Sequence, residues 1–245
     1  MKTILSVLFL FSAWYCSAQD KIPHDVIPTN DGDLTIYFVG HGTLMFKYHD
    51  LIIHADASSR EADYSQMPDA DLILVTHHHG DHFDPEAIDK IRTENTTIIL
   101  NGRSSDEAPD LEGKVVLKNG EKTEYKGILI EAVPAYNLVH MRSEGNPYHP
   151  KGEGNGYVVT FGDKRVFIAG DTENTPEMKA LKNIDIAFLP MNLPYTMTPE
   201  MVADAIIGFR PDIFYPYHYG STDPQLVVDL LKDENDIEVR VRDMP

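Results

Sequence analysis

Four side chains of the kinds that bind metal ions stand within six residues of one another. They are His77, His79, Asp81 and His82, in the run Thr76-His77-His78-His79-Gly80-Asp81-His82. In an extended or turning segment alternate residues face the same way, so His77 and His79 share a side. A turn at Gly80 then brings Asp81 and His82 round to a second point nearby. Neutral imidazole and carboxylate form a borderline ligand set that suits zinc and tolerates manganese or iron. A solvated polar turn with a chance histidine run is the competing reading. Four ligand types at this spacing, directly after an apolar strand, speak against it. Cysteine can contribute nothing here, because Cys16 is the only one in the chain and lies far upstream.

The elements that must place these groups read as strands and βα units. Residues 34–39 and 43–48 are dense in β-branched and aromatic side chains and flank Gly40-His41-Gly42, with residues 51–53 following as a further strand. Residues 71–75 form an apolar strand leading into the histidine run. Asp84 is a good N-cap for a helix over residues 85–93, with Pro85 at its first position. Residues 97–100 are another short strand. Asn119-Gly120 is a tight-turn signal and predicts a hairpin between residues 115–117 and a strand running to Val133. Gly162-Asp163 joins residues 157–161 to 165–169 in the same way, and the Gly- and Pro-containing stretch 137–155 is a long loop without apolar periodicity.

In the last third, a strand at 184–189 leads to a helix capped by Thr198-Pro199. A strand at 213–215 leads past His218 to a helix capped by Asp223-Pro224, and residues 237–241 form a final strand. The layout Asp71…His77-His79…Asp84-Pro85 is echoed by Asp212…His218…Asp223-Pro224. Hairpins mixed with βα units predict an α/β (α+β) fold of sheets layered with helices. Functional groups on such folds collect where strands end and loops begin, as Asp171 does after Gly170.

A chain of 245 residues with 42% hydrophobic content is enough for one sizeable domain and short for two. Residues 1–18 read as a signal peptide: Met1-Lys2 is a basic start, residues 4–14 are mostly apolar, and Cys16-Ser17-Ala18 precedes Gln19, the expected first mature residue. That apolar stretch is too short to span a bilayer. The expectation is a single domain over 19–245, exported to the periplasm or secreted, with no membrane association in the mature form. A formal charge of −18 repels nucleic-acid phosphates and favours a small-molecule substrate. No oligomeric state is implied.

Taken in order, Gly40-His41-Gly42, Ile53-His54-Ala55-Asp56, the H-x-H-x-D-H run, Ala169-Gly170-Asp171-Thr172 and Tyr217-His218-Tyr219-Gly220 resemble the metallo-β-lactamase-fold hydrolases. The resemblance implies a four-layer αββα sandwich with two metal ions, zinc by preference, at one edge. Carried over by position, His77 and His79 would hold metal one, Asp81, His82 and His218 metal two, and Asp171 would bridge them. A carboxylate shared by two cations offsets part of their repulsion, and a bridging metal-bound hydroxide becomes the nucleophile. Asp81 and Asp171 are then the catalytic carboxylates. Asp56 would orient the metal-binding loop, and His41 and Tyr195 would lie beside the site.

One position departs from the pattern. Asn137 stands where a third histidine for metal one is expected. His140 and His149 could replace it, and His149 is favoured, with Asn137 supporting it. Its setting, Tyr148-His149-Pro150-Lys151-Gly152, is similar to a His-Pro-Lys-Gly segment of the sugar-phosphate lactonase-like bacterial and archaeal subgroup. If neither histidine serves, metal one is weakly held. Arg142 and Lys151 could grip an anionic group. The implied reaction is hydrolysis of an ester, lactone, amide or phosphodiester. The alternatives are a zinc β-lactamase and a metal-binding protein without turnover.

Overall fold

β-Branched and aromatic residues between Gly and Asp breaks favour strands. The computed structural model, which describes residues 22–245, sorts its strands into two seven-stranded sheets and a two-stranded ribbon. The first sheet follows chain order: β1 (His24–Thr29), β2 (Gly32–Gly40), β3 (Thr43–Tyr48), β4 (Leu51–Ala55), β5 (Leu72–Leu74), β6 (Thr97–Leu100) and β7 (Lys114–Val116). Its first three pairings are antiparallel and its last three parallel.

The second sheet contains β8 (Lys122–Tyr125), β9 (Ile128–Ala135), β12 (Gly154–Phe161), β13 (Lys164–Ile168), β14 (Ile186–Pro190), β15 (Ile213–Tyr217) and β16 (Glu238–Val239), with the same succession of pairings. The ribbon, β10 (Met141–Ser143) with β11 (Asn146–Pro147), lies in the long loop between β9 and β12. The segment expected to be a signal peptide lies outside the described residues. Among those residues no helix is long and apolar enough to cross a membrane.

Each sheet buries one face against the other. Ile128, Ile130 and Ala132 of β9 point into the core while Leu129 and Glu131 are less buried, the period-2 pattern of a strand with one covered face. Phe46 of the first sheet stacks on Phe161 of the second at 5.8 Å between ring centroids. Each fully buried aromatic of this kind contributes about 1.5–3 kcal/mol by leaving water. Helix α1 (Pro85–Ile91) covers the outer face of the first sheet through Ile88 and Ile91 packed with Ile73 and Val75. Helix α4 (Pro199–Phe209) covers the second through Val202, Ile206 and Phe209. The order helix, sheet, sheet, helix is the expected αββα sandwich. Short helices α2 (Gly102–Glu107), α3 (Pro176–Lys179) and α5 (Gln225–Leu231) are the other α-helices among the described residues.

The caps follow their residues. Asp84 accepts from the backbone N–H of Glu86 and Ala87 at the start of α1, and Thr198 accepts from Met201 at the start of α4. The Asn119-Gly120 hairpin is not formed. The turn exists, with Glu121 N–H donating to Lys118 O at 2.9 Å, but it carries the chain from β7, the edge of the first sheet, to β8, the edge of the second. Asn119 anchors the crossing by donating to Gly154 O at 2.8 Å and Asn155 Oδ1 at 2.7 Å. The real hairpin is β8–β9, turned by Lys126 and Gly127, both in the left-handed region. The internal echo also shifts. Topology matches β5 with β14 and β6 with β15, so the repeat detected in the sequence is displaced by one strand.

Candidate metal centre

Strand β5 ends at Leu74, and the next residues are wrapped round Asp56, which follows β4. Asp56 accepts from Thr76 N–H at 2.8 Å, from Thr76 Oγ1 at 2.6 Å and from His82 Nδ1 at 2.8 Å. It is fully buried and sits at φ 51°, a left-handed conformation costly for a non-glycine residue, about 1–2 kcal/mol. His41 (φ 50°) and His218 (φ 44°) share this strain. Three strained backbones around one site are what a rigid scaffold sustains where geometry serves function. The loop closes on itself, because His82 and Phe83 N–H both donate to His79 O, at 2.9 and 2.8 Å.

The donor atoms converge in two groups. His77, His79, His149 and Asp171 form one, and His41, Asp81, His82 and His218 the other; within each, one donor atom per residue lies within 4.8 Å of all the rest. Asp171 touches both. Its Oδ2 is 3.2 Å from His149 Nε2 and 3.8 Å from His77 Nε2, while its Oδ1 is 3.2 Å from His218 Nε2 and 3.4 Å from His82 Nε2. Although close, these last two nitrogens are not aligned to donate. Asp171 Oδ1, His82 Nε2 and His218 Nε2 are therefore buried without hydrogen-bond partners. Unmet buried polar atoms cost about 1–3 kcal/mol each. A cation among them would remove that cost, so this donor set fits a metal ion.

Tautomers are fixed from behind. His82 Nδ1 is engaged by Asp56, and His149 Nδ1 donates to Asn137 Oδ1 at 2.8 Å, which leaves each Nε2 turned to the centre. Burial pushes His77 well below the usual imidazole range and His79 down to about 4, so both offer neutral rings. Burial opposes ionisation of Asp171, but the charges of His218 and His82 outweigh it and hold the carboxylate well below its ordinary value.

Asn137 is not a member of either group. It receives His149 N–H on Oδ1 at 2.7 Å and donates Nδ2 to Glu173 Oε1 at 3.0 Å. Glu173, fully buried and not signalled by any motif, also accepts from the N–H groups of Leu138, Val139 and His140, each at 2.7 Å. His140 points its ring at this carboxylate, at 2.7 Å, and away from the donor groups. His54 is a core residue donating to Pro68 O, and Lys151 is paired with Glu177, so neither faces the site. His41 is closer than expected: Nδ1 donates to Pro245 O at 2.7 Å, and Nε2 lies 3.3 Å from Asp81 Oδ2.

Two glycines make room for side chains of the histidine loop. A Cβ on Gly42 would lie 2.7 Å from His82 Cε1, and one on Gly170 (φ 63°) would lie 2.8 Å from Thr76 Cβ. A cavity of about 380 Å³ opens over both donor groups, walled by Arg60, Arg142, Tyr148, Asn192 and Tyr195 beside the histidines. Tyr195, 45% exposed, meets Tyr148 edge to face at 5.0 Å. Sequence reasoning named Tyr195 but not Tyr148 or Asn192, which lie in irregular segments without periodicity or motif.

Residues 35–218 match the family model described as a beta-lactamase superfamily domain. A UPF0173 metal-dependent hydrolase of Thermococcus kodakarensis is 30% identical over 200 residues, 77% of this chain and 86% of the relative. A crystal structure from Parabacteroides distasonis, of a protein provisionally named a metal-dependent hydrolase, is 48% identical with a TM-score of 0.86, covering 91% of this chain and 100% of that one. Igni18, a metallo hydrolase of Ignicoccus hospitalis, shares the fold at 21% identity and a TM-score of 0.70, covering 85% of this chain and 94% of that one. With two large sheets, and a His/Asp cluster able to hold metal at their edge, this chain belongs to the β-lactamase superfamily, among its metal-dependent hydrolases.

Proposed function

We propose that the protein hydrolyses an ester, lactone, amide or phosphodiester bond of a small molecule at two divalent metal ions. Zinc is the first choice, and Mn2+ or Fe2+ are the alternatives. The observation that carries this reading is Asp171, whose two oxygens face different donor groups. His77, His79 and His149 would hold one ion and Asp81, His82 and His218 the other, with His41 poised beside the second. When bound, the ions would polarise the scissile group and acidify the attacking water towards neutrality.

The chain's own residues supply the rest. Asp171 keeps the two groups in register, and the buried rings exclude bulk water. Asp81 lines the cavity as an ionised carboxylate: burial opposes its ionisation, but the contact with His41 and the charge of His82 hold it below the usual carboxylate range. The small cavity and the acidic surface favour a small molecule over a nucleic acid. An exported location, periplasmic or secreted, is part of the same proposal and rests on the N-terminal sequence alone.

Metal analysis of the purified protein, followed by phosphodiester, lactone and ester probes, tests the reading. Two ions per chain with turnover that vanishes in Asp171→Ala support it. One ion or none, with no activity on any probe, would overturn it.

A further inference from the structure

We infer that the substrate carries an anionic group, carboxylate or phosphate, gripped by Arg60 and Arg142 at a distance from the bond that reacts. The inference rests on the hydrolytic reading above and specifies what that site accepts. The chain has eight arginines, all among the described residues. Arg92, Arg103, Arg165, Arg210, Arg240 and Arg242 each have a carboxylate within ion-pair distance. Among the described residues Arg60 and Arg142 have none, and both line the cavity above the donor groups. In a protein of formal charge −18, carboxylates are plentiful. Two arginines left without one, both on the same wall system, are placed to meet an acid that arrives with the substrate.

Their settings keep them available. Arg142 lies on β10 with its guanidinium carbon 5.6 Å from the Tyr148 ring centroid. A cation over an aromatic face is oriented by the ring quadrupole while its N–H donors stay free. Arg60 follows β4 and lies across the histidine loop, with Nη2 3.8 Å from where a Cβ on Gly80 would stand. One arginine thus comes from each sheet's connections. Guanidinium presents a planar fork of donors that matches a carboxylate or phosphate. Asp81 and Asp171, the acidic groups of the same cavity, face the metal centre and would be balanced by its cations. The edge-to-face pair Tyr148–Tyr195 supplies an apolar wall for the uncharged body of the molecule.

The test uses esters that share one scissile phenyl ester and differ at the far end. They are monophenyl glutarate (carboxylate), phenyl 4-phosphonobutyrate (phosphonate) and methyl phenyl glutarate (neutral). With metal-loaded protein, kcat/KM for an anionic ester should exceed that for the neutral one by about tenfold or more. Whichever anion leads identifies the group. Arg60→Gln and Arg142→Gln should each reduce that ratio at least about tenfold, chiefly through KM. An unchanged ratio in both variants, or a preference for the neutral ester, would overturn the inference.

Equilibrium binding separates this outcome from a failure of hydrolysis. Calorimetry with the non-hydrolysable 5-phenoxypentanoate and its neutral methyl amide should show the acid binding more tightly, with the difference lost in Arg60→Gln. If neither these esters nor the lactone and phosphodiester probes turn over and this difference persists, the hydrolytic reading falls and anion recognition stands. If esters turn over and no difference appears in binding or in rate, the reverse holds.

Discussion

The two sheets repeat one topology and use it differently. In the first, β1–β7, the connection after β5 holds four donors in six residues, and those after β4 and β2 add support from Asp56 and His41. In the second, β8–β16, the donors are dispersed: His149 lies before β12, Asp171 after β13 and His218 after β15. Asp56 and Asp171 occupy equivalent places, each just beyond the fourth strand of its sheet, where antiparallel pairing gives way to parallel. His82 lies between them, with Nδ1 against Asp56 and Nε2 facing Asp171. One position in a repeated topology has thus yielded a carboxylate that braces His82 and another that faces both donor groups. The site stands where strand ends from both sheets converge, so neither sheet alone could build it.

The sharpest break of this comparison is to remove each aspartate in turn. Asp171→Ala should reduce bound metal below two ions per chain and lower kcat at least about a thousandfold, some 4 kcal/mol of barrier, with no recovery in excess metal. Asp56→Ala should act indirectly. Metal affinity should fall about 10–100-fold while saturating metal restores much of the turnover. Metal titrations followed by activity distinguish the two, and identical behaviour of both variants would erase the distinction between bracing and bridging carboxylates.

A smaller effect belongs to the second sheet alone. Its dispersed donor His149 depends on a relay, Glu173 to Asn137 to His149, that the compact first-sheet loop does not need. Asn137→Ala should weaken one of the two ions by about tenfold and leave the other nearly untouched. Glu173→Gln removes the charge that gathers three backbone N–H groups and should cost about 2 kcal/mol in urea unfolding. Biphasic metal titration of Asn137→Ala is the discriminating measurement. Equal loss at both ions would show that the relay serves the whole centre.

The same contrast explains what the sequence revealed. The histidine run is legible because its spacing and the preceding strand are contiguous, whereas Asp171 and His218 entered through the resemblance, supported by each standing just after an apolar strand. His149 and Asn137 were reached only through a resemblance, since nothing periodic in residues 137–155 marks them. Glu173 escaped entirely. A buried carboxylate two residues beyond Asp171 looks like any turn acid until the loop it collects is folded over it. Asn119-Gly120 misled for a related reason. Turn chemistry specifies a local reversal, but whether the next strand pairs back or crosses to another sheet depends on the tertiary partners of Asn119.

One difference between the sheets should appear as pH dependence of stability. Counting back from the paired aspartates, β4 carries His54 where the second sheet has Ala169. His54 is fully buried, beside Tyr64 and bonded to Pro68 O, and burial pushes its pKa down to about 4. In the unfolded chain it titrates near 6.5. A depressed imidazole favours the folded state fully above the unfolded pKa, and that contribution is lost as pH falls towards 4, because only the unfolded chain takes up the proton. Between pH 7.5 and 5.5 the loss is about 1.3 kcal/mol, and the first sheet bears it. Urea titrations at the two pH values should show this step in the native chain and not in His54→Leu, with hydrogen exchange quickening in β4 and β5 before β13 and β14. Equal steps in the two proteins would mean that His54 is not the group responsible and that the two sheets respond alike to acid.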